Sequence, residues 1–227
     1  MTTTSPRPAP MGFVYLLGWL CFRFLFATYF RWRYFNPERV PLTGPVILAS
    51  NHASFIDPPL VGAALHRGLS YLARDTLFRF PGVGWLLRAW DAVPVDREGG
   101  GAAGLRKILD ALQSGRATIV FPEGTRTRNG SLQKARTGIG LLVLKSDAPV
   151  VPVRVFGTYA AYGRHQRLPR PAAVAVKYGQ PMMFEGLRTE ARSCPKARLK
   201  EIYQEVTDQI MAAIASLEPY EEKDRFP

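Results

Sequence analysis

Apolar residues along this chain gather into short runs of two kinds, and the two kinds alternate. One kind is continuous and rich in β-branched or small residues, as in residues 46–50, 117–121 and 150–156. Such runs predict strands that are buried on both faces. Residues 70–73, 92–95 and 172–178 predict three more, and Pro94 places its strand near a sheet edge because proline cannot donate to the ladder. The other kind has helical spacing. Leu105, Ile108, Leu109 and Leu112 predict a helix over 103–113 that Gly115 closes. Leu199, Ile202, Val206, Ile210 and Ile214 mark one face of a long helix over 196–217. Residues 60–65 and 138–145 predict two further helices, and Pro81-Gly82 divides 76–88 into two short helical pieces. Alternation of this kind predicts an α/β fold: a layered domain with a largely parallel central sheet flanked by helices.

The first forty residues read differently. A polar, proline-containing tail precedes residues 11–30, which are almost wholly apolar, dense in aromatics and interrupted by Arg23. Arg31 and Arg33 follow, with Trp32 and Tyr34 among them, where a secretory signal needs a small-residue cleavage site. A full span would place Arg23 near the bilayer centre at a cost of about 2.5–3.5 kcal/mol. The expectation is therefore a helix lying in one leaflet, with Arg23 snorkelling to the headgroups; an ordinary core helix is the alternative. Residues 1–40 are thus set apart as a tail and membrane-associated segment, and 41–227 as the α/β domain.

Charge sharpens this picture. Thirty Lys and Arg against eighteen Asp and Glu give a formal net charge of +12, a field that attracts phosphates, anionic lipid or nucleic acid without choosing among them. The two cysteines, Cys21 and Cys194, lie in settings that do not suggest a disulfide, and no Cys/His cluster suggests zinc. A reducing compartment follows, which places the protein as a peripheral or monotopic membrane protein on the cytoplasmic face.

Two loops carry candidate chemistry, each directly after an apolar strand, where open α/β sheets build their sites. The first is Asn51-His52-Ala53-Ser54-Phe55-Ile56-Asp57. An imidazole is the usual general base near neutral pH, and a carboxylate on its second nitrogen fixes the tautomer and stabilises the imidazolium. Five positions along a helix turn about 140°, so His52 and Asp57 meet only on a loop that folds back. Pro58-Pro59 supports a helix starting after Asp57, with one Asp57 oxygen capping that helix and the other meeting His52. The second loop is Phe121-Pro122-Glu123-Gly124-Thr125-Arg126. Gly124 permits close approach of the backbone to a ligand, and Arg126 offers a planar fork that matches phosphate. Arg97, Arg128, Lys134 and Arg136 add positive charge. There is no dinucleotide-binding or Walker-type glycine pattern.

Taken together the two loops resemble the glycerolipid acyltransferase family, of the 1-acylglycerol-3-phosphate (lysophosphatidate) acyltransferase type. Its first motif, Asn-His-x-x-x-x-Asp, is matched by Asn51, His52 and Asp57, with Ser54 at a position that is often Ser. Its second ends in an Arg, as Val95-Asp96-Arg97 does, although Asp91 stands where Gly is common and Pro94 where an aromatic or apolar residue is. Phe121 to Arg126 reproduce the third in full, and Val150-Val151-Pro152-Val153 fit the fourth. The order is the family's, over about half the chain.

The resemblance implies a membrane-associated enzyme that moves an acyl group from an acyl thioester to the free sn-2 hydroxyl of lysophosphatidate, giving phosphatidate. His52 is then the general base and Asp57 its partner. Arg126, Gly124, Thr125 and Arg97 form the phosphate and glycerol site, and Glu123 orients that loop or meets the glycerol. No metal and no cofactor are implied beyond a co-substrate, acyl-CoA or acyl-acyl carrier protein. The partners implied are membrane lipid and that donor, not nucleic acid. Transfer to another lyso-lipid, including a lyso-aminolipid, is the alternative within the class. Outside it stand a non-catalytic basic lipid-surface binding protein, which has no use for His52 beside Asp57, and a thioester hydrolase, which needs water where the acceptor belongs.

Overall fold

The computed structural model describes residues 11–95 and 101–220. Among these residues the centre is a seven-stranded sheet in the order β1 (Arg33–Phe35), β7 (Ala175–Tyr178), β6 (Val150–Phe156), β2 (Val46–Ser50), β5 (Ala117–Val120), β3 (Leu69–Arg74), β4 (Ala92–Val95). Neighbours are parallel except β6 and β7, so the sheet is largely parallel, as the strand–helix alternation predicts. β4 is an edge strand, in keeping with Pro94. Pro152 sits inside the sheet without breaking it. Its carbonyl accepts from Gly179 just past the end of β7, so its missing N–H falls where that neighbour has already finished.

Side chains of β2 alternate between two cores, as the strand period of two requires. Val46 and Leu48 join Leu60, Val61, Val153, Val176 and Tyr178 on one face. This face is covered by α1 (Phe13–Thr28) and α2 (Asp57–Ala63). Ile47 and Ala49 join Leu142, Val143, Ile202, Val206 and Ile210 on the other, under α4 (Gly101–Gln113), α5 (Gly138–Lys145) and α8 (Lys196–Ser216). Every β2 residue is buried, which explains the unbroken apolar run in the sequence. α3 (Pro81–Ala89) follows a 3₁₀ turn over Asp75–Arg79, the two pieces that Pro81-Gly82 separates. The strand read over 172–178 begins only at Ala175. Two short helices, α6 (Thr158–Tyr162) and α7 (Glu185–Ala191), and the strand β1 have no counterpart in the sequence reading.

The N-terminal segment departs most from expectation. β1 pairs in parallel with β7, so the boundary drawn at residue 40 falls inside the sheet's own domain. α1 packs on α2 and α3 rather than standing apart. Its inner face buries Tyr15, Phe26 and, just past its end, Phe30, and Gly18 admits the Trp90 ring where a Cβ would come within 2.4 Å of it. Arg23 is partly exposed, but the protein itself holds its head group. Its Nη1 donates to the Ala63 carbonyl at 2.8 Å and its guanidinium lies 4.6 Å from the Trp19 ring centroid and 5.5 Å from that of Trp32. The carbonyl end of α2 and the faces of Trp19, Trp32 and Tyr34 therefore satisfy the charge within the protein. The outer face is apolar and open: Phe13, Leu17, Leu20 and Phe24 are 51–80% exposed at helical spacing. No helix among the described residues is long and apolar enough to cross a membrane. Cys21 and Cys194 are both free thiols.

Candidate active site

β2 and β5 are parallel neighbours with Ala49 opposite Val120, so the loops that follow them leave the sheet side by side. This register brings the two candidate loops together. Asn51 fixes the departure of the first: its Oδ1 accepts the Val155 N–H at 2.8 Å and its Nδ2 donates to the Val155 carbonyl at 3.2 Å. The side-chain amide thereby imitates one more residue of the β2–β6 ladder. The main chain of His52 is then pinned by the second loop. Its N–H donates to Glu123 Oε1 at 3.1 Å, and its carbonyl accepts from Thr127 at 2.8 Å.

The His52 ring stacks on Phe121, with centroids 3.9 Å apart, and its Nδ1 lies 2.9 Å from Asp57 Oδ2. An ionised carboxylate only accepts hydrogen bonds, so it assigns the proton to Nδ1 and the lone pair to Nε2. The fold-back that the spacing requires is thus present. The expected helix cap is not. Asp57 Oδ2 accepts instead from the upstream N–H groups of Ala53 (2.6 Å) and Ser54 (2.7 Å), and its side chain caps no N–H of α2. The reason lies in Pro58 and Pro59, which have no N–H to cap, while Leu60 N–H already donates to Ile56. Asp57 therefore closes the loop that carries His52.

The second loop is built around buried Glu123. With Oε1 on the His52 amide, Oε2 accepts from Gln133 Nε2 at 3.1 Å. Burial pushes its carboxyl above the usual carboxylate range, the hydrogen bonds from His52 and Gln133 pull the other way, and repulsion from Asp57 adds a small further rise. A raised folded-state pKa contributes stability below the unfolded-state value near 4.5, and that contribution is lost as pH rises through the folded value. Glu123→Gln is therefore expected to gain stability relative to the wild type between pH 4 and pH 8, read by thermal melts; a difference that stays constant with pH would contradict this account.

Gly124 adopts φ +68, and a Cβ there would come within 2.9 Å of Arg136 Nε. The close approach predicted at this glycine is thus to the Arg136 side chain, and its own N–H is bonded to the Phe121 carbonyl at 2.9 Å. Thr125 is exposed beside it. Arg126 lies with its guanidinium carbon 3.4 Å from the Phe55 ring centroid, which brings it onto the His52 loop. Arg97 lies outside the described residues. Sequence reading missed Phe121 and Gln133 as supports. Neither had a local signal, since each acts across the two loops.

A cavity of about 230 Å³ opens beside the start of α2. Pro58, Pro59, Gly62, Trp19, Leu72 and Trp90 are among the residues that line it, and the wall is almost entirely apolar. Asp57 is the first residue of the same helix, so α2 runs from the end of the His52 loop into the wall of the cavity.

The family model described as Acyltransferase matches residues 31–156, more than half of the chain. The chain belongs to the acyltransferase family. Within it, the sequence is 30% identical over 147 residues to a 1-acyl-sn-glycerol-3-phosphate acyltransferase of Cocos nucifera, covering 63% of this chain and 48% of that protein. It is 29% identical over 124 residues to the enzyme of the same name in Bacillus subtilis, covering 54% and 61%. It is 30% identical over 113 residues to the lyso-ornithine lipid O-acyltransferase of Pseudomonas aeruginosa, covering 49% and 43%. The chain spans about half or less of the length of the plant relatives it matches. Among solved acyltransferases, the 1-acyl-sn-glycerophosphate acyltransferase PlsC of Thermotoga maritima superposes with a TM-score of 0.68 at 25% identity, over 91% of this chain and 80% of that one. The layered α/β architecture with a largely parallel sheet is therefore an acyltransferase fold.

One departure from the family pattern now has a physical reading. Asp91, where the family often has Gly, adopts φ +52. The turn into β4 needs a left-handed residue, a conformation that Asp tolerates better than most.

Proposed function

We propose that this acyltransferase moves an acyl group from an acyl thioester to the sn-2 hydroxyl of lysophosphatidate, giving phosphatidate. The observation that carries the reading is His52, held by Asp57 in a defined tautomer and locked to the loop that bears Arg126. His52 Nε2 takes the proton of the acceptor hydroxyl as its oxygen attacks the thioester carbonyl. The tetrahedral intermediate then collapses, the C–S bond breaks, and the departing thiolate takes the proton back from the imidazolium. Asp57 stabilises that imidazolium, and its burial keeps the interaction unscreened. Arg126 binds the acceptor phosphate, joined by Thr125 and, on the strength of the second motif, by Arg97. Glu123, with both oxygens engaged by the protein, orients the loop rather than meeting the glycerol. The apolar cavity beside α2 suits a fatty acyl chain. The donor is acyl-CoA or acyl-acyl carrier protein. The enzyme works at a membrane surface, held by the open apolar face of α1 and by exposed Arg31 and Arg33 just beyond it.

The test is a panel of acceptors offered to the purified enzyme with radiolabelled acyl thioester: lysophosphatidate, lysophosphatidylcholine and a lyso-ornithine lipid. Product from lysophosphatidate alone supports the proposal. Preference for the lyso-ornithine lipid would favour the second reading, which the likeness to the Pseudomonas aeruginosa enzyme motivates. Arg126→Ala is expected to raise the apparent KM for lysophosphatidate roughly 10- to 150-fold, the equivalent of losing a charged hydrogen bond, with little change for the thioester. Arg126→Lys should restore only part of this, because a point charge lacks the planar fork. An equal rise for both substrates would reassign Arg126 to the donor or to the fold.

A further inference from the structure

Phe55 is half-exposed on the catalytic loop and belongs to neither core. An exposed phenyl ring at that place gains little from burial, yet its surroundings are closely ordered. The residues on both sides of it are anchored: the Ser54 hydroxyl donates to the Tyr162 carbonyl at 2.6 Å and accepts from Ile56 N–H at 3.2 Å, and the Ser54 N–H donates to Asp57. Tyr162 flanks the Phe55 ring with centroids 5.2 Å apart. Arg126 Cζ lies 3.4 Å from the ring centroid, a van der Waals stacking distance well inside the cation–π range.

We propose that Phe55 is a positioning residue for acceptor binding: its ring holds the Arg126 guanidinium flat and so aims the in-plane N–H fork at the acceptor phosphate. A guanidinium donates its hydrogen bonds in its own plane, whereas stacking uses the face. The stack therefore fixes the orientation of the fork without competing for its donors. It also shortens the list of rotamers that Arg126 must give up when the phosphate binds. The effect belongs to the acceptor, so it appears in the KM for lysophosphatidate and not in the proton transfer at His52. Because the ring and the arginine come from different loops, Phe55 ties phosphate recognition to the loop that carries the base. This inference rests on Arg126 as the phosphate-binding residue.

The experiment is a double-mutant cycle on the full-length enzyme. Phe55→Leu keeps an apolar side chain and removes the aromatic face. It is expected to raise the KM for lysophosphatidate about 3- to 30-fold, with kcat and the thioester KM within about twofold of wild type. Phe55→Tyr and Phe55→Trp restore a face and are expected to return the KM to within about twofold of wild type. In an Arg126→Ala background, Phe55→Leu should add nothing further. A ring-current shift of the Arg126 side-chain N–H resonances, present in the wild type and lost in Phe55→Leu, reads the stack without any turnover. An unchanged KM in Phe55→Leu, a full effect that persists without Arg126, or failure of Tyr and Trp to rescue would each overturn the proposal. If Arg126→Ala alone leaves the acceptor KM unchanged, it is the phosphate reading that has failed, and the role given to Phe55 falls with it.

Discussion

Replacing His52 by alanine is expected to slow acyl transfer by roughly 100- to 10,000-fold, the usual cost of removing a general base. Initial rates with lysophosphatidate and a saturating acyl thioester measure this. The fold should survive, since the side chain is a loop group, and what anchors its backbone is the amide and carbonyl held by Glu123 and Thr127. Asp57→Asn is the informative companion. An amide oxygen can still accept from Ala53, Ser54 and His52, so the loop keeps its closure while the imidazolium loses its counter-charge. A loss of more than about tenfold is expected, in line with the value of a hydrogen bond to a charged group. Asp57→Ala would instead leave two buried N–H groups without an acceptor, at about 1–3 kcal/mol each, and would confuse chemistry with folding. Activity in His52→Ala within threefold of wild type would refute the base assignment.

Deleting residues 1–30 is expected to leave a chain that does not fold. Setting 41–227 apart as the α/β domain, with its first strand at residues 46–50, implies the reverse, a domain that folds without the N-terminal segment. In the structure Phe26 and Phe30 are at most 1% exposed and pack with Val40, Leu60, Val174 and Tyr178. Tyr15 accepts the Leu69 N–H, Trp19 donates to the Leu65 carbonyl, and Arg23 closes α2. Truncating one buried phenylalanine to alanine costs about 3–5 kcal/mol, against a total stability of about 5–15 kcal/mol for a typical domain. Phe26→Ala should lower the melting temperature sharply. Phe24→Ala, on the open face of the same helix, should shift stability by no more than about 0.5 kcal/mol when no amphiphile covers that face. A truncated chain that melts cooperatively and turns over a short-chain lysophosphatidate would contradict this.

The contrast marks what the sequence could and could not express. β2, β4, α5 and β6 coincide with the predicted spans, because each is an apolar run bounded by Gly, Pro or polar residues. β1 is three residues, one arginine and two aromatics, after an aromatic-rich helix, and only its pairing with β7 makes it a strand. α7 is short, largely polar and contains Gly186, so no helical stripe stands out. At the site, the loop from His52 to Asp57 could be read as folding back, because the separation of the two residues forbids a shared helix face. What Asp57 binds could not, since that depends on two prolines removing the donors it would otherwise cap. The Glu123 bond to the His52 amide spans 71 positions and leaves no local trace. Arg23 looked like a charge in search of headgroups because nothing in its neighbourhood along the chain announces the end of α2.

α1 has two faces in two different environments, and this ties quantities that are normally measured separately. Its inner residues complete the core, while Phe13, Leu17, Leu20 and Phe24 meet whatever surrounds the protein. Anything that binds the outer face of the folded chain and ignores the unfolded one adds RT ln(1 + [L]/Kd) to the stability of the whole domain, about 2.7 kcal/mol at a hundredfold excess over Kd. On a lipid surface of the kind proposed above, the surrounding amphiphile becomes a thermodynamic component of the fold, on the same footing as a bound ligand. A melting temperature taken there is a property of a pair, protein and surface, and a shift between two lipid compositions measures the difference in their affinities for one stripe of a helix.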